Sequence, residues 1–245
     1  MKKITICHLY PDVLNLYGDR GNIIALKKRL EWREIECEIK EANIGDSIDV
    51  DSTDIFFIGG GQDFEQEVLL KDLSSGKGEQ ITQAVESGKV FLAICAGYQI
   101  LGKYYKTHTG EICEFIGALD VFTEGQKQRM IGNYTYECEL DGQKTKIIGF
   151  ENHSGKTYLG QNVKPFGKVL YGNGNNGEDH TEGARYKNVY ATYAHGPVLP
   201  KNPKLSDELI KIALKNRYGD ISLSELDDSF ENNAHEYMEN RLLNK

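Results

Sequence analysis

Short apolar runs alternate with amphipathic stretches along the first hundred residues of the chain. The apolar runs predict strands at residues 4–9, 36–39, 55–58 and 90–94. Amphipathic spacing predicts helices at about 23–33, 64–73 and 79–87, with Asn22 as the N-cap of the first. This alternation is typical of a parallel, doubly wound sheet with helices on both faces, so an α/β fold is expected. Ligands of such sheets bind beyond the carboxyl ends of the strands.

The pattern changes after residue 118. Short β-type runs are predicted at 119–123, 133–140, 146–150, 168–171 and 189–193. Turn signals separate them, including Asp141-Gly142 and the glycine-asparagine tract at 172–177. We therefore expect an antiparallel extension of the central sheet.

Helical patterns return near the C-terminus, at about 206–217 and 224–243, and the second is charged and expected to be a solvated face. These patterns predict one domain over residues 1–202. They also predict a helical extension, residues 203–245, packed on that domain.

Composition and charge narrow the class of protein. The 245 residues are enough to bury a sizeable core. The 29 basic and 37 acidic residues disfavour general nucleic-acid binding, and no polybasic patch suggests membrane attachment. No apolar run approaches the ~20 residues that span a bilayer, and the opening segment is too short for a signal peptide. The five cysteines have no C-x-x-C spacing, which indicates reduced thiols in a cytoplasmic protein and argues against a zinc site.

The apolar run at 90–94 ends at a cysteine. Cys95 is followed by Ala96 and Gly97, and Tyr98-Gln99 then looks like a helix start. A sharp strand-to-helix turn places the intervening side chain at the sheet edge, where the helix N-terminus favours a thiolate. We therefore predict a nucleophile elbow at Cys95, although a cysteine at a strand end is often an ordinary core residue.

A cysteine nucleophile needs a general base and donors for an oxyanion. His195 follows the predicted strand at 189–193, so it can share the sheet edge with Cys95. His153 also follows a predicted strand, but His195 is the better candidate for the base. An isolated loop histidine is more often a surface residue, and the pairing with the elbow is what favours His195.

Oxyanion donors are expected from the backbone at two places. One is the N–H of Ala96, which follows the nucleophile, and the other is the turn at Gly60 and Gly61. A glycine turn after a strand can also bind phosphate. That alternative is disfavoured because the P-loop lysine and hydroxyl are missing and three acidic residues follow: Asp63, Glu65 and Glu67.

Three motifs together resemble those of class I (triad-type) glutamine amidotransferases: Gly59-Gly60-Gly61-Gln62, Ile94-Cys95-Ala96-Gly97-Tyr98-Gln99 and Tyr193-Ala194-His195-Gly196. The resemblance runs from about Ile4 to Pro197 and implies a flavodoxin-like amidotransferase domain. Within the class, residues 149–157 and Ala93 are similar to the cobyric-acid-synthase branch. Residues 14–22, 57–66, 171–176 and 195–202 look most like the glutaminase subunits of lipid II isoglutaminyl synthases.

The resemblance implies that the chain hydrolyses glutamine with Cys95 and His195. It also implies that Arg129, which matches the glutamine-binding arginine of the branch, and Gln99 bind the substrate. One position departs from the wider class, since Pro197 stands where a glutamate usually orients the histidine. A backbone carbonyl, Glu151 or a partner subunit are the open alternatives for that role.

The resemblance also implies a partner. This chain has no recognisable ATP-binding motif, and no cofactor or metal is expected in it. A Mur-ligase-like synthetase subunit, forming a heterodimer with this chain, is expected to use ATP and magnesium. It would activate the α-carboxylate of D-glutamate in lipid II, and ammonia from glutamine would convert that residue to D-isoglutamine.

Three alternatives remain open at this point. The chain is an amidotransferase for another acceptor, such as a cobyrinate-type carboxylate, or a cysteine peptidase or hydrolase on the same scaffold, or a non-catalytic binding subunit. A hydrolase of another kind has no need for Gln99 and Arg129. Intact Cys95 and His195 disfavour a non-catalytic role.

Overall fold

The computed structural model describes residues 2–61, 69–220 and 222–244. Its strands are β1 (Lys3–Leu9), β2 (Glu36–Ala42), β3 (Ile55–Ile58), β4 (Val90–Ile94), β5 (Tyr104–Lys106), β6 (Ile112–Glu114), β7 (Val121–Leu140), β8 (Gln143–Leu159), β9 (Gly167–Tyr171), β10 (Thr181–Glu182), β11 (Ala184–Tyr186) and β12 (Val189–Thr192). Its helices are α1 (Arg20–Glu31), α2 (Gly78–Glu86), α3 (Ala96–Ile100), α4 (Val198–Lys201), α5 (Pro203–Tyr218) and α6 (Ser229–Leu243). A 3₁₀ turn at Leu16–Gly18 precedes α1, and a π-helical turn at Leu73–Lys77 precedes α2.

A mostly parallel sheet forms the centre of the molecule. Its six strands follow the order β11-β12-β4-β3-β1-β2, and all pairs are parallel except β11 with β12. Every residue of β3 and β4 is buried, as expected for parallel strands covered on both faces, and Phe56 stacks on Phe91 with ring centroids 4.7 Å apart. The predicted α/β class is thus confirmed. Because β3, β4 and β12 are neighbours, their carboxyl ends meet at one edge.

The antiparallel strands lie mostly in a second sheet. β11 extends the central sheet, whereas the second sheet has the order β10-β9-β7-β5-β6, with β8 paired to β7. The predicted strands at 119–123 and 133–140 are joined in β7. The predicted strand at 146–150 is part of the longer β8. Asp141 and Gly142 form the hairpin turn with positive φ at both positions (48° and 73°), as a type I′ turn requires.

The two sheets meet at the backbone of His195. Phe150 of β8 donates its N–H to the His195 carbonyl (3.3 Å), and the His195 N–H donates to the Phe150 carbonyl (2.9 Å). The second sheet therefore holds the main chain of the predicted catalytic histidine.

The start of α1 differs from the prediction. The helix begins at Arg20, so Asn22 is inside it and is not the N-cap. Asn22 is buried, and its side-chain oxygen accepts the N–H of Leu199 at 2.9 Å. The residue before the helix is Asp19, whose side chain lies in the candidate active site. Most of the predicted helix at 64–73 lies outside the described residues, and residues 69–72 are helical.

The C-terminal helices pack against α1 through a buried ionic cluster. Arg29 of α1 is buried and donates to both oxygens of Asp207 (2.7 Å each) and of Asp228 (2.6 and 2.9 Å). Three leucines of α5 join the core: Leu205, Leu209 and Leu214. α6 buries only Leu242 among its described residues, in line with its charged sequence. The division into residues 1–202 and 203–245 stays a prediction, and no described helix is long and apolar enough to cross a membrane.

Candidate active site

The turn after β4 places Cys95 at the sheet edge. β4 ends at Ile94, α3 begins at Ala96, and Cys95 between them has φ 50° and ψ −104°. Positive φ is unusual for a residue other than glycine and marks a strained turn. The next position needs glycine, because a Cβ on Gly97 would lie 2.7 Å from the Ile58 carbonyl oxygen. The Cys95 side chain is 7% exposed and lines a cavity.

His195 is fully buried beside Asp19. The Nδ1 atom of His195 lies 3.3 Å from Oδ2 of Asp19, which is also fully buried. Nε2 has no hydrogen bond to the residues that the structure describes. A carboxylate on one ring nitrogen fixes the orientation of the imidazole and stabilises its protonated form. Asp19 therefore occupies the orienting position that the sequence left open.

The electrostatics of this group favour a charged histidine. Burial alone would lower the pKa of His195. The charge of Cys95 and the hydrogen bond to Asp19 together outweigh burial and raise the pKa to about 10. The ring thus keeps its proton at neutral pH. Burial raises the pKa of the Cys7 and Cys138 thiols to about 12, so those thiols stay protonated in the core.

A cavity of about 370 Å³ opens in front of Cys95. It brings together four of the residues predicted for the site, namely Cys95, Gly61, Gln99 and Arg129. The remaining wall comes from the 3₁₀ turn and from β8: Leu16, Tyr17, Asn152, His153, Ser154 and Gly155. A larger cavity of about 980 Å³ shares Arg129 but is not lined by Cys95, so the smaller one is the candidate substrate site.

Gln99 and Arg129 are held in different ways. Gln99 is buried and donates from Nε2 to the Tyr193 hydroxyl at 3.0 Å. Arg129 is exposed; its Nε donates to the side-chain oxygen of Asn152 (2.9 Å) and one terminal nitrogen to the Asn152 carbonyl (3.0 Å). A guanidinium has five N–H donors, so this anchoring leaves donors for a carboxylate in the cavity.

The structure corrects the prediction for Gly60. Its N–H donates to Oδ2 of Asp19 at 2.9 Å, so it is not available as an oxyanion donor. The His195 ring also lies where a side chain would be, since a Cβ on Gly60 would be 2.5 Å from Cε1. Gly61 and Ala96 stay the predicted donors. Gln62 and the acidic positions Asp63, Glu65 and Glu67 lie outside the described residues.

Glu151 has a structural role in place of the orienting role considered for it. Its carboxylate accepts the Asn173 N–H (2.9 Å), the Asn173 side-chain amide (2.8 Å) and the Gly174 N–H (2.9 Å). It thus anchors the glycine-asparagine tract to β8. Asp19, not Glu151, contacts His195.

Replacing Glu151 by glutamine is expected to destabilise the fold by about 1–3 kcal/mol, because an amide nitrogen would face N–H donors that the carboxylate now satisfies. The turnover of the folded fraction should stay close to wild type. Thermal unfolding and initial rates measure the two effects. Glu178→Gln, at an exposed side chain directly after the tract, is the matched control. A large loss of turnover with an unchanged melting temperature would contradict this role.

Asp19 is the functional residue that sequence reasoning missed. It lies 176 positions before His195 in the chain, and only the folded sheet brings the two together. The sequence feature that contains Asp19 is the segment at 14–22, which resembles the glutaminase subunits. That resemblance did not assign a role to this carboxylate. Among the described residues, no group of three or more His, Cys, Asp or Glu side chains has the arrangement of a metal site.

Comparisons with known proteins give the same picture. A sequence model of the CobB/CobQ-like glutamine amidotransferase domain matches residues 5–203. The subunit GatD of lipid II isoglutaminyl synthase (glutamine-hydrolyzing) from Staphylococcus aureus (strain N315) is 42% identical over 241 residues, which span 98% of this chain and 97% of the relative. GatD from Streptococcus pneumoniae (strain ATCC BAA-255 / R6) is 42% identical over 92% of this chain and 86% of its own.

Solved structures extend the comparison to the fold. PurLQS from Thermotoga maritima superposes with a TM-score of 0.59 over 89% of this chain and all of that chain, at 16% sequence identity. At this identity the superposition supports the shared fold only.

Proposed function

Because the chain belongs to the CobB/CobQ-like glutamine amidotransferase family, we propose that it hydrolyses L-glutamine and supplies the ammonia for amidation of lipid II. One observation carries the proposal. The cavity in front of Cys95 is lined by Gln99 and Arg129, and the His195–Asp19 pair lies buried beside it. The identity of 42% to GatD subunits along nearly the whole chain supports lipid II as the acceptor.

The reaction begins with the sulfur of Cys95. Its thiolate attacks the side-chain amide carbon of glutamine, and the amide oxygen becomes an oxyanion. The N–H groups of Gly61 and Ala96 stabilise that charge, and one such donor is typically worth about 3 kcal/mol. His195 gives its proton to the leaving nitrogen, so the C–N bond breaks, ammonia leaves and a thioester remains. Water, deprotonated by His195, then hydrolyses the thioester to glutamate and restores the thiolate.

The substrate is held at its amino-acid end. The guanidinium of Arg129 pairs with the α-carboxylate, and Asn152 fixes its orientation. Gln99, pinned by Tyr193, forms the inner wall of the site. Asp19 keeps the His195 ring in the orientation that both proton transfers need.

Ammonia must then reach an activated acceptor, because most of it is protonated in neutral water. We infer a heterodimer with a Mur-ligase-like subunit that uses ATP and magnesium to activate the α-carboxylate of D-glutamate in lipid II. A cytoplasmic location fits this use of ATP. It also fits the five free cysteines.

The proposal is tested by purifying the chain alone and with the co-expressed ligase subunit. Glutamate release from glutamine and transfer of amide nitrogen to lipid II are measured in both preparations. We expect glutamate release from the complex and conversion of lipid II only when ATP is added. No glutamate release from either preparation would overturn the amidotransferase function. Release without transfer would retain the glutaminase and exclude lipid II in favour of another carboxylate acceptor.

A further inference from the structure

Tyr17 lies at the rim of the active-site cavity in an uncommon conformation. Its backbone has φ 56° and ψ 24°, within the 3₁₀ turn before α1. A bulky residue in the left-handed region is an outlier that persists only where the surroundings hold it. The side chain is 41% exposed, so burial in the core does not explain this conformation.

The ring of Tyr17 packs on the imidazole of His195. The two ring centroids are 4.8 Å apart with an interplanar angle of 65°, which is an edge-to-face contact. The same ring lies 6.4 Å from that of Phe150, whose backbone pairs with His195. Tyr17 thus covers the histidine on the side of the cavity, and Asp19 contacts it through Nδ1.

The hydroxyl of Tyr17 contacts the arginine end of the cavity. It accepts a hydrogen bond from the side-chain amide of Asn152 at 2.6 Å. The same Asn152 accepts two hydrogen bonds from Arg129. A continuous series of contacts therefore runs from Arg129 through Asn152 and Tyr17 to His195.

We propose that Tyr17 is a positioning residue that couples binding of the substrate carboxylate at Arg129 to the orientation of His195. The inference rests on the proposed function for the identity of the substrate. A carboxylate bound by Arg129 fixes Asn152, and the amide of Asn152 then holds the Tyr17 ring against the imidazole. The Tyr17 ring in turn shields the imidazole from water. It also keeps the imidazole from rotating away from Asp19.

Two variants separate the hydroxyl from the ring. Tyr17→Phe removes the hydrogen bond to Asn152 and keeps the ring, so KM for glutamine should rise about 3- to 10-fold. kcat should also fall, by less than in Tyr17→Leu, because Asn152 no longer holds the ring against the imidazole. Tyr17→Leu removes the aromatic ring, so kcat should fall more strongly than KM rises. Tyr237→Leu, at an exposed tyrosine of α6, is the control and should match wild type. Melting temperatures verify that each variant is folded.

A double-mutant cycle tests the coupling itself. In an Arg129→Gln background, Tyr17→Phe should change KM by less than twofold, because the group on which the hydroxyl acts is gone. Multiplicative effects of the two substitutions on KM would overturn the proposal. This arm needs only the Phe variant, so it decides the question even if Tyr17→Leu does not fold.

A readout without glutamine separates this inference from the proposed function. The rate of Cys95 alkylation by iodoacetamide is measured against pH for wild type, Tyr17→Phe and Tyr17→Leu. We expect Tyr17→Leu alone to shift the alkaline limb of the profile, because its imidazole is open to water. Identical profiles for all three would overturn the role of the ring. If wild type hydrolysed no glutamine, the proposed function would fail while this measurement still decided the contact with His195.

Discussion

Replacing the Cys95 thiol by a hydroxyl is expected to lower glutamine hydrolysis by on the order of 10³-fold or more. A serine hydroxyl stays protonated at neutral pH, and the charge of the Cys95 sulfur is itself one of the causes that raise the pKa of His195. The variant therefore loses the thiolate, and a neutral hydroxyl is a much weaker nucleophile. Glutamate release from purified Cys95→Ser, in complex with the proposed ligase subunit, measures the effect.

The control for this substitution is a cysteine outside the site. Cys37→Ser, at a half-buried thiol on β2, should retain wild-type turnover. Both variants should unfold near the wild-type temperature, because exchange of sulfur for oxygen leaves the packing almost unchanged. Turnover of Cys95→Ser within tenfold of wild type would exclude the sulfur as the nucleophile.

Asp19→Asn is expected to lower kcat by about 10²- to 10⁴-fold with little change in KM, the range seen when the orienting carboxylate of a catalytic triad is neutralised. Asn keeps the size of the side chain but removes the charge that helps to raise the pKa of His195. The imidazolium should therefore lose its proton at lower pH. The alkaline limb of the rate profile should move down from near pH 10, which a series of initial rates against pH will measure.

The same carboxylate contributes to stability with a defined sign. Its charge helps to raise the pKa of His195 in the folded state. Protonated His195 therefore stabilises the fold below its unfolded pKa of about 6.5, and this contribution is lost as the pH rises through about 10. In Asp19→Asn this alkaline loss should begin at lower pH. Asp12→Asn, at an exposed carboxylate of the preceding loop, should leave both profiles unchanged. An unaltered rate in Asp19→Asn would assign the orienting role to another group.

Local sequence was sufficient for the parts of the site that depend on one strand and its turn. The bounds of β4 and the turn at Cys95 follow from an apolar run that ends before small residues. His195 followed from the same logic applied to β12. These features need no knowledge of distant contacts, because the parallel sheet alone brings the ends of β4 and β12 together.

The remaining features depend on pairings that no local pattern contains. The role of Asp19 arises because the turn before α1 lies over the ends of β3 and β12. The same contact engages the Gly60 N–H. β7 runs on through residues 124–132, although its pairing with β8 is interrupted after Gly125 and resumes at Met130. A bulge between Gly125 and Met130 brings Arg129 to the cavity.

The ionic cluster at Arg29 links the C-terminal region to the active site, because it anchors the helix that begins directly after Asp19. Asp19 immediately precedes α1, and that helix is anchored through Arg29 to Asp207 and Asp228. Both carboxylates lie beyond residue 203, where the match to the family ends. Ending the chain at residue 203 would remove both carboxylates together with α5, and with them the anchor of α1 and of the adjoining Asp19. Residues past the segment that the family model matches therefore support the position of the carboxylate that orients His195.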